Sequence, residues 1–87
     1  MKKITMFYMS TCPHCARAAN YMNELYAENE AYKQIEVERI DEVIHADIAE
    51  KYDYYFVPTF YVGDEKTHEG SCEKKDIKKV FDAALAE

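Results

Sequence analysis

The fold class of this chain is decided by the run Ile4-Thr5-Met6-Phe7-Tyr8-Met9-Ser10-Thr11-Cys12-Pro13-His14-Cys15. The first part of the run predicts a strand over residues 3–8. Its apolar side chains on both faces indicate burial on both sides, which is typical of parallel strands. The second part predicts a helix over residues 13–29, because proline is tolerated at the first helical position and an apolar stripe follows it. Two cysteines therefore lie where a buried strand passes into a helix.

The rest of the chain continues this alternation of strands and helices. We predict strands over residues 34–40, 59–62 and 66–69, and helices over residues 42–52 and 72–86. Asp41 is the predicted cap of the middle helix. The side chains of that helix that are expected to point inward are Ile44, Ile48, Ala49 and Tyr52.

The order βαβαββα places the chain in the α/β class. A strand, a helix and a second strand prefer a parallel pair with a right-handed crossover, and the closing hairpin adds antiparallel strands. The prediction is a four-stranded mixed sheet flanked by three helices. Residues 1–87 are long enough for one modest core and are expected to form a single domain.

Composition excludes some classes of function. The formal net charge is −6, so nucleic acid, which needs a basic face, is not an expected partner. No apolar run approaches the roughly 20 residues that span a membrane, and no signal-peptide pattern is present. We therefore expect a monomer that lies in the cytoplasm and does not bind a membrane. Three cysteines in a reducing compartment do not indicate a framework of structural disulfides.

The spacing of Cys12 and Cys15 predicts thiol–disulfide chemistry. A cysteine attacks as the thiolate, and the unpaired N–H groups and the dipole of a helix start stabilise negative charge. Cys12, just before the helix, is assigned as the exposed nucleophile, and Cys15, one turn later, as the partly buried resolving thiol. Pro13 begins the helix between them. His14, when protonated, would stabilise the thiolate and make the disulfide more oxidising.

A second candidate segment is Val57-Pro58, which lies between the middle helix and the third strand. A proline that opens a strand is tolerated at a sheet edge or as a cis turn. A cis Pro58 would leave the flanking backbone groups, above all those of Val57, available to pair with an extended peptide substrate.

A third candidate segment is Gly70-Ser71-Cys72-Glu73. We expect the amides of its last three residues to be free at a helix start, which would form an anion site. Glu73 could also accept a hydrogen bond from an ammonium group. Cys72 is expected to be exposed there, as a thiol that is open to glutathionylation or another regulatory modification.

Together, the three segments resemble those of the glutaredoxins, a family of the thioredoxin superfamily, over essentially the whole chain. Cys12-Pro13-His14-Cys15 is similar to the CPYC motif of that family, Val57-Pro58 to its TVP segment, and Gly70-Ser71-Cys72-Glu73 to its GGCDD segment. The resemblance implies a thioredoxin-like fold without a bound cofactor or metal. It implies reduction of protein disulfides or glutathione mixed disulfides, with glutathione as co-substrate. The second and third segments are then the substrate- and glutathione-binding residues.

Two alternatives remain open on the residues. Met9 stands where glutaredoxins usually carry a basic residue that pairs with the glycine carboxylate of glutathione. This difference favours a thioredoxin-like electron donor that is served by a flavoprotein reductase. The second alternative is a metal-binding module, because Cys12, Cys15, His68 and Cys72 have spacings that occur in zinc sites.

Overall fold

The computed structural model describes residues 1–86, so Glu87, the last residue of the predicted domain, lies outside the described residues. The elements follow the predicted order, with a 3-10 helix at Glu30–Gln34 as the one addition. They are β1 (Ile4–Tyr8), α1 (Pro13–Glu28), β2 (Val37–Asp41), α2 (Ala46–Ala49), β3 (Thr59–Val62), β4 (Glu65–Glu69) and α3 (Lys74–Leu85). The strand that was predicted over residues 34–40 is observed as Val37–Asp41, and Gln34 instead ends the 3-10 helix.

The sheet confirms the predicted mixed topology. The strand order is β2-β1-β3-β4. β1 runs parallel to β2, with Met6 opposite Arg39, and antiparallel to β3, with Met6 opposite Phe60. β3 and β4 form the antiparallel hairpin. The ends of β1 and β2 and the beginning of β3 therefore lie at one edge of the sheet, and this edge carries Cys12 and Val57.

Helices cover the two faces of the sheet. On one face, α1 and α3 pack over a large core that includes Ile4, Met6, Phe60 and Phe81. On the other face, Phe7 forms a smaller core with Ile40 and Tyr61, against which α2 and the following tyrosines pack. Phe7, with its ring centroid 4.9 Å from that of Tyr54, fills this second face. β1 is therefore buried on both sides, as its apolar pattern predicted.

The middle helix is shorter than predicted. It was expected over residues 42–52, but α2 covers only Ala46–Ala49. The carboxylate of Asp41 accepts the N–H groups of Val43 and Ile44 at 2.9 and 3.2 Å. The N–H of His45 donates to the carbonyl oxygen of Asp41 at 2.8 Å, which closes this turn. The N-cap of α2 is His45, so the prediction that Asp41 caps the helix is wrong. Ile44, which was predicted to point inward, is consequently 72% exposed, and that prediction is wrong.

The aromatic packing between α1, α3 and the 3-10 helix gives a stability prediction. Phe81 is fully buried, and its ring lies 5.3 Å from Tyr26 and 5.1 Å from Tyr32. Phe81→Ala is expected to lower the free energy of unfolding by about 3–5 kcal/mol, since it removes buried area and leaves a cavity. Urea unfolding measures the loss. Tyr55→Ala is the matched control, because that ring is exposed, and it should change stability by about 0.5 kcal/mol at most. Equal losses in the two variants would contradict the assigned core.

Candidate redox site

Cys12 occupies the position that the sequence predicted, at the N-cap of α1. Its sulfur accepts a hydrogen bond from the backbone N–H of Cys15 at 3.3 Å. Pro13 takes the first helical position, where its missing N–H leaves no bond unmade. The positive end of a 16-residue helix is therefore directed at the Cys12 sulfur.

Cys15 lies one turn into α1 and is 4% exposed. Burial is the main cause that raises the pKa of Cys15 to about 12, and its hydrogen bond with Cys12 raises that pKa further. Cys12 is partly exposed, and both residues are thiols in this structure. The two sulfurs therefore differ in access, which agrees with the predicted roles of nucleophile and resolving thiol.

Val57 lies directly beside the nucleophile. The Val57-Pro58 peptide bond is cis. The Cys12 thiol donates a hydrogen bond to the carbonyl oxygen of Val57 at 3.8 Å. Within residues 1–86, the N–H of Val57 has no hydrogen-bond acceptor. This donor lies next to the carbonyl group that contacts the Cys12 sulfur.

The third segment differs from its prediction. α3 begins at Lys74 rather than at residue 72, and Glu73 is its N-cap. The N–H of Glu73 donates to the carboxylate of Asp76 at 2.9 Å, so it is not free for an anion. In the part of the chain that the structure describes, the N–H groups of Ser71 and Cys72 have no acceptor. Two of the three expected amides thus remain for an anion.

Cys72 is not the exposed thiol that the sequence suggested. It is 7% exposed and packs within the core under α1 and α3. Burial raises the pKa of Cys72 to about 11. The prediction of an accessible Cys72 is wrong. The helix begins two residues later than predicted, so Cys72 precedes α3, where its side chain packs in the core.

A groove beside Cys12 brings together all three predicted segments. It is lined by His14, Phe56, Val57, Glu69, Gly70 and Ser71. Gly70 has a φ of +91°, which a residue with a side chain adopts only with strain. The N–H of Gly70 donates to Pro58 O at 2.8 Å, which ties the third segment to the second.

A separate cavity of about 230 Å³ is lined by both Cys12 and Cys15. Its walls are mostly apolar, and it contains one basic side chain, that of Arg39 from β2. Arg39 was not among the site residues that were predicted from the sequence. The register of β1 with β2 places it opposite Met6 and so at the cavity.

Glu69 is a second residue that the sequence analysis missed. Its Oε2 atom accepts the backbone N–H groups of Tyr55 and Phe56 at 2.6 and 3.0 Å. Its Oε1 atom accepts a hydrogen bond from Lys66 Nζ at 2.8 Å. The Lys66 ammonium is the main cause that lowers the pKa of Glu69 to about 2, and the Tyr55 amide adds to this effect. No local sequence signal marks Glu69, because its partners lie 13 and 14 residues earlier.

The described residues offer no set of ligands for the metal site that was considered as an alternative. Among residues 1–86, no group of three or more histidine, cysteine, aspartate or glutamate side chains could hold a metal ion. The ring of His68 instead forms a hydrogen bond of 3.0 Å with the carbonyl of Ser71. In the same described residues, no helix combines the length and the apolar character that crossing a membrane requires.

Comparison with known proteins agrees with this geometry. The family model of the thioredoxin domain matches residues 2–82. A thioredoxin-like protein from Clostridium perfringens is 26% identical, with a TM-score of 0.68 over 97% of this chain and 71% of that one. Oxidised thioredoxin from Plasmodium falciparum is 19% identical, with a TM-score of 0.69 over 92% and 77%. A comparison with curated proteins gave no match. The thioredoxin-like fold is therefore confirmed, and with the Cys-X-X-Cys pair it indicates a thiol–disulfide oxidoreductase.

The different burial of the three thiols predicts an order of modification. In the reduced, folded protein, iodoacetamide is expected to alkylate Cys12 first, because it is accessible and lies at the helix start. Cys15 and Cys72 should react more slowly by at least about tenfold, since burial raises the pKa of both. Peptide mass spectrometry after timed labelling measures the order. Labelling in denaturant is the control, and it should make the three rates similar. Rapid alkylation of Cys72 in the native protein would contradict its burial.

Proposed function

Because the chain belongs to the thioredoxin domain family, we propose that it is a small oxidoreductase that reduces protein disulfides through Cys12 and Cys15. The observation that carries the proposal is the arrangement of the two thiols. Cys12 is accessible at the N-cap of α1 and accepts the Cys15 amide, whereas Cys15 is buried one turn later. The arrangement supplies an accessible sulfur to attack and a protected sulfur to resolve.

In the first step, the Cys12 thiolate attacks one sulfur of a substrate disulfide. A bond forms between Cys12 Sγ and that sulfur, and the substrate S–S bond breaks. The other substrate sulfur leaves as a thiolate and takes a proton from solvent. The positive end of α1 and the N–H of Cys15 stabilise the Cys12 thiolate before the attack. The N–H of Val57 is available to orient the substrate backbone.

In the second step, Cys15 resolves the mixed disulfide. The Cys15 sulfur attacks Cys12 Sγ, the mixed disulfide breaks, and the second substrate sulfur leaves. The proton of the Cys15 thiol passes to this leaving sulfur. The substrate has then gained two electrons and two protons, and the protein holds a Cys12–Cys15 disulfide. A thiol or dithiol reductant must restore the pair, which suits a reducing compartment such as the cytoplasm.

Two electron donors are candidates, a flavoprotein reductase and glutathione. The occupied N–H of Glu73 and the uncharged Met9 support the reductase, because both reduce the sites for glutathione carboxylates. The N–H groups of Ser71 and Cys72, which have no acceptor among residues 1–86, support the second candidate, a glutathione-dependent glutaredoxin. We give precedence to the reductase, with disulfide-containing proteins as partners of a monomeric enzyme.

One pair of substitutions tests the proposal and separates its two steps. Cys12→Ser is expected to abolish turnover of insulin disulfides, by about 10³-fold or more, because no other accessible thiol replaces the nucleophile. Cys15→Ser should stop dithiol turnover and accumulate a mixed disulfide on Cys12, which mass spectrometry detects. Under the glutathione alternative, Cys15→Ser would still reduce glutathione mixed disulfides.

The same assay distinguishes the donors when it is run with two reducing systems. NADPH oxidation is followed with thioredoxin reductase in one arm, and with glutathione and glutathione reductase in the other. We expect the first arm to support turnover and the second to be slower. Cys72→Ser is the matched control, since it removes a buried thiol and keeps the backbone N–H, and it should retain turnover. Full activity of Cys12→Ser would overturn the proposal.

The exposed His14 gives a prediction for the reduction potential. His14→Tyr is expected to lower the potential by roughly 30 mV, because an imidazole two residues from Cys12 would, when protonated, stabilise the thiolate and therefore the reduced form. Equilibration with a glutathione redox buffer measures the potential. His45→Tyr is the matched control, since His45 is also exposed but follows the neighbouring strand β2, and its substitution should leave the potential unchanged. A potential that rises or stays constant in His14→Tyr would contradict the role of His14.

A further inference from the structure

Two exposed aromatic side chains stand beside the nucleophile. Tyr55 is 85% exposed and Phe56 is 68% exposed. They immediately precede Val57, whose carbonyl oxygen accepts the hydrogen bond from Cys12. We call these two side chains the aromatic platform. Phe56 also lines a groove together with Val57 and His14, so the platform adjoins the residue that contacts the Cys12 sulfur.

The backbone of the platform is held rigidly although its side chains are exposed. One oxygen of the Glu69 carboxylate accepts the N–H groups of both Tyr55 and Phe56. The carbonyl oxygen of Phe56 accepts the hydroxyl of Thr59. Polar side chains from β3 and β4 therefore fix the platform on either side of Phe56. The rings point to solvent from an ordered loop rather than from a loose one.

A second set of contacts holds the beginning of the same loop. The carbonyl oxygen of Asp53 accepts hydrogen bonds from Tyr61 Oη at 2.8 Å and from Lys66 Nζ at 3.1 Å. Lys66 also pairs with Glu69, so one ion pair links both ends of the loop. An ordered apolar surface gains affinity because little conformational entropy is lost when a partner binds.

Exposed apolar side chains are concentrated at this edge of the sheet. Apart from Met1, the large hydrophobic residues that are strongly exposed within residues 1–86 are Val43, Ile44, Tyr55 and Phe56. The first two follow β2 and the last two precede β3, so they flank Cys12 from opposite sides. Of these two pairs, Tyr55 and Phe56 together expose aromatic surface of the kind that marks an interaction site.

We propose that the aromatic platform selects polypeptide disulfides in which a large apolar side chain adjoins the reacting cysteine. The inference rests on the proposed function and names its substrate class. The carbonyl oxygen of Val57 accepts the Cys12 thiol, and Phe56 immediately precedes Val57, so we expect a side chain next to the attacked sulfur to reach the Phe56 ring. Burial of an aromatic anchor of this kind contributes much of the energy in polypeptide recognition.

The charge of the groove supports a polypeptide over an anionic tripeptide. Of the described residues that line it, none is a lysine or an arginine. Its carboxylate, that of Glu69, is already paired with Lys66. An uncharged backbone with apolar side chains therefore loses no ion pair on binding, whereas a carboxylate would find neither a lysine nor an arginine in the lining.

The test compares two uncharged peptide disulfides, the homodimers of acetyl-Gly-Cys-Phe-Gly-amide and acetyl-Gly-Cys-Ser-Gly-amide. Each value of kcat/KM is divided by the rate with dithiothreitol, which removes differences in intrinsic reactivity. We expect the protein to prefer the phenylalanine peptide by about tenfold. Phe56→Ala and Tyr55→Ala should each reduce this preference, mainly through KM. Ile44→Ala is the matched control, because it removes an exposed apolar side chain on the other flank, and it should keep the preference.

Glu69 is tested as the residue that positions the platform. Glu69→Ala is expected to reduce the preference for the phenylalanine peptide, measured as the ratio of the two normalised kcat/KM values, by several fold. Glu69→Gln, which keeps an oxygen that can accept both amides, should restore it. An equal rate for both peptides in the wild type, or an equal loss in Ile44→Ala, would overturn the inference. Turnover of either peptide by Cys12→Ser would instead overturn the proposed function, so the two failures are distinguishable.

Discussion

The structure depends on the burial of β1 on both of its faces. Ile4 and Met6 pack under α1 and α3, whereas Phe7 packs under the opposite layer, so the strand is fixed in the centre of the sheet. Parallel pairing with β2 and antiparallel pairing with β3 then direct the ends of three strands to one edge. A helix that begins just beyond β1 must begin at this edge. The position of Cys12 is therefore a consequence of the core.

Local patterns were sufficient to predict the strands and the thiol pair, because those features depend on neighbouring residues. The apolar run before Cys12 and the proline after it specify a buried strand and a helix start without reference to the rest of the chain. α2 could not be predicted in the same way. Periodicity favoured a helix from residue 42, but the buried Asp41 carboxylate holds the next amides in a turn. The regular helix begins only at Ala46, after a turn whose end the periodicity of apolar residues does not specify.

Long-range contacts account for the parts of the site that the sequence did not reveal. Glu69 reads as an ordinary acidic residue in a short strand, and only the β3–β4 hairpin brings it to the amides of Tyr55 and Phe56. Arg39 similarly reaches the cysteine cavity through the register with Met6. Cys72 was misjudged because the start of α3 is fixed by the Glu73–Asp76 contact, two residues later than composition suggested. Register and capping decide these positions, and neither is encoded in a short motif.

In the proposed reaction, the difference between the two thiols sets the order of the two attacks. Burial raises the pKa of Cys15 to about 12, so at neutral pH this sulfur is a thiol and a poor nucleophile toward a free disulfide. Once Cys12 has formed a mixed disulfide, the attack by Cys15 is intramolecular, and proximity compensates for its weak ionisation. The N–H of Cys15 points at the Cys12 sulfur from the same turn of helix, which keeps the pair in register. A single helical turn thus provides both the activated thiol and the delayed one, and the surrounding groove is left to discriminate among the disulfides that reach it.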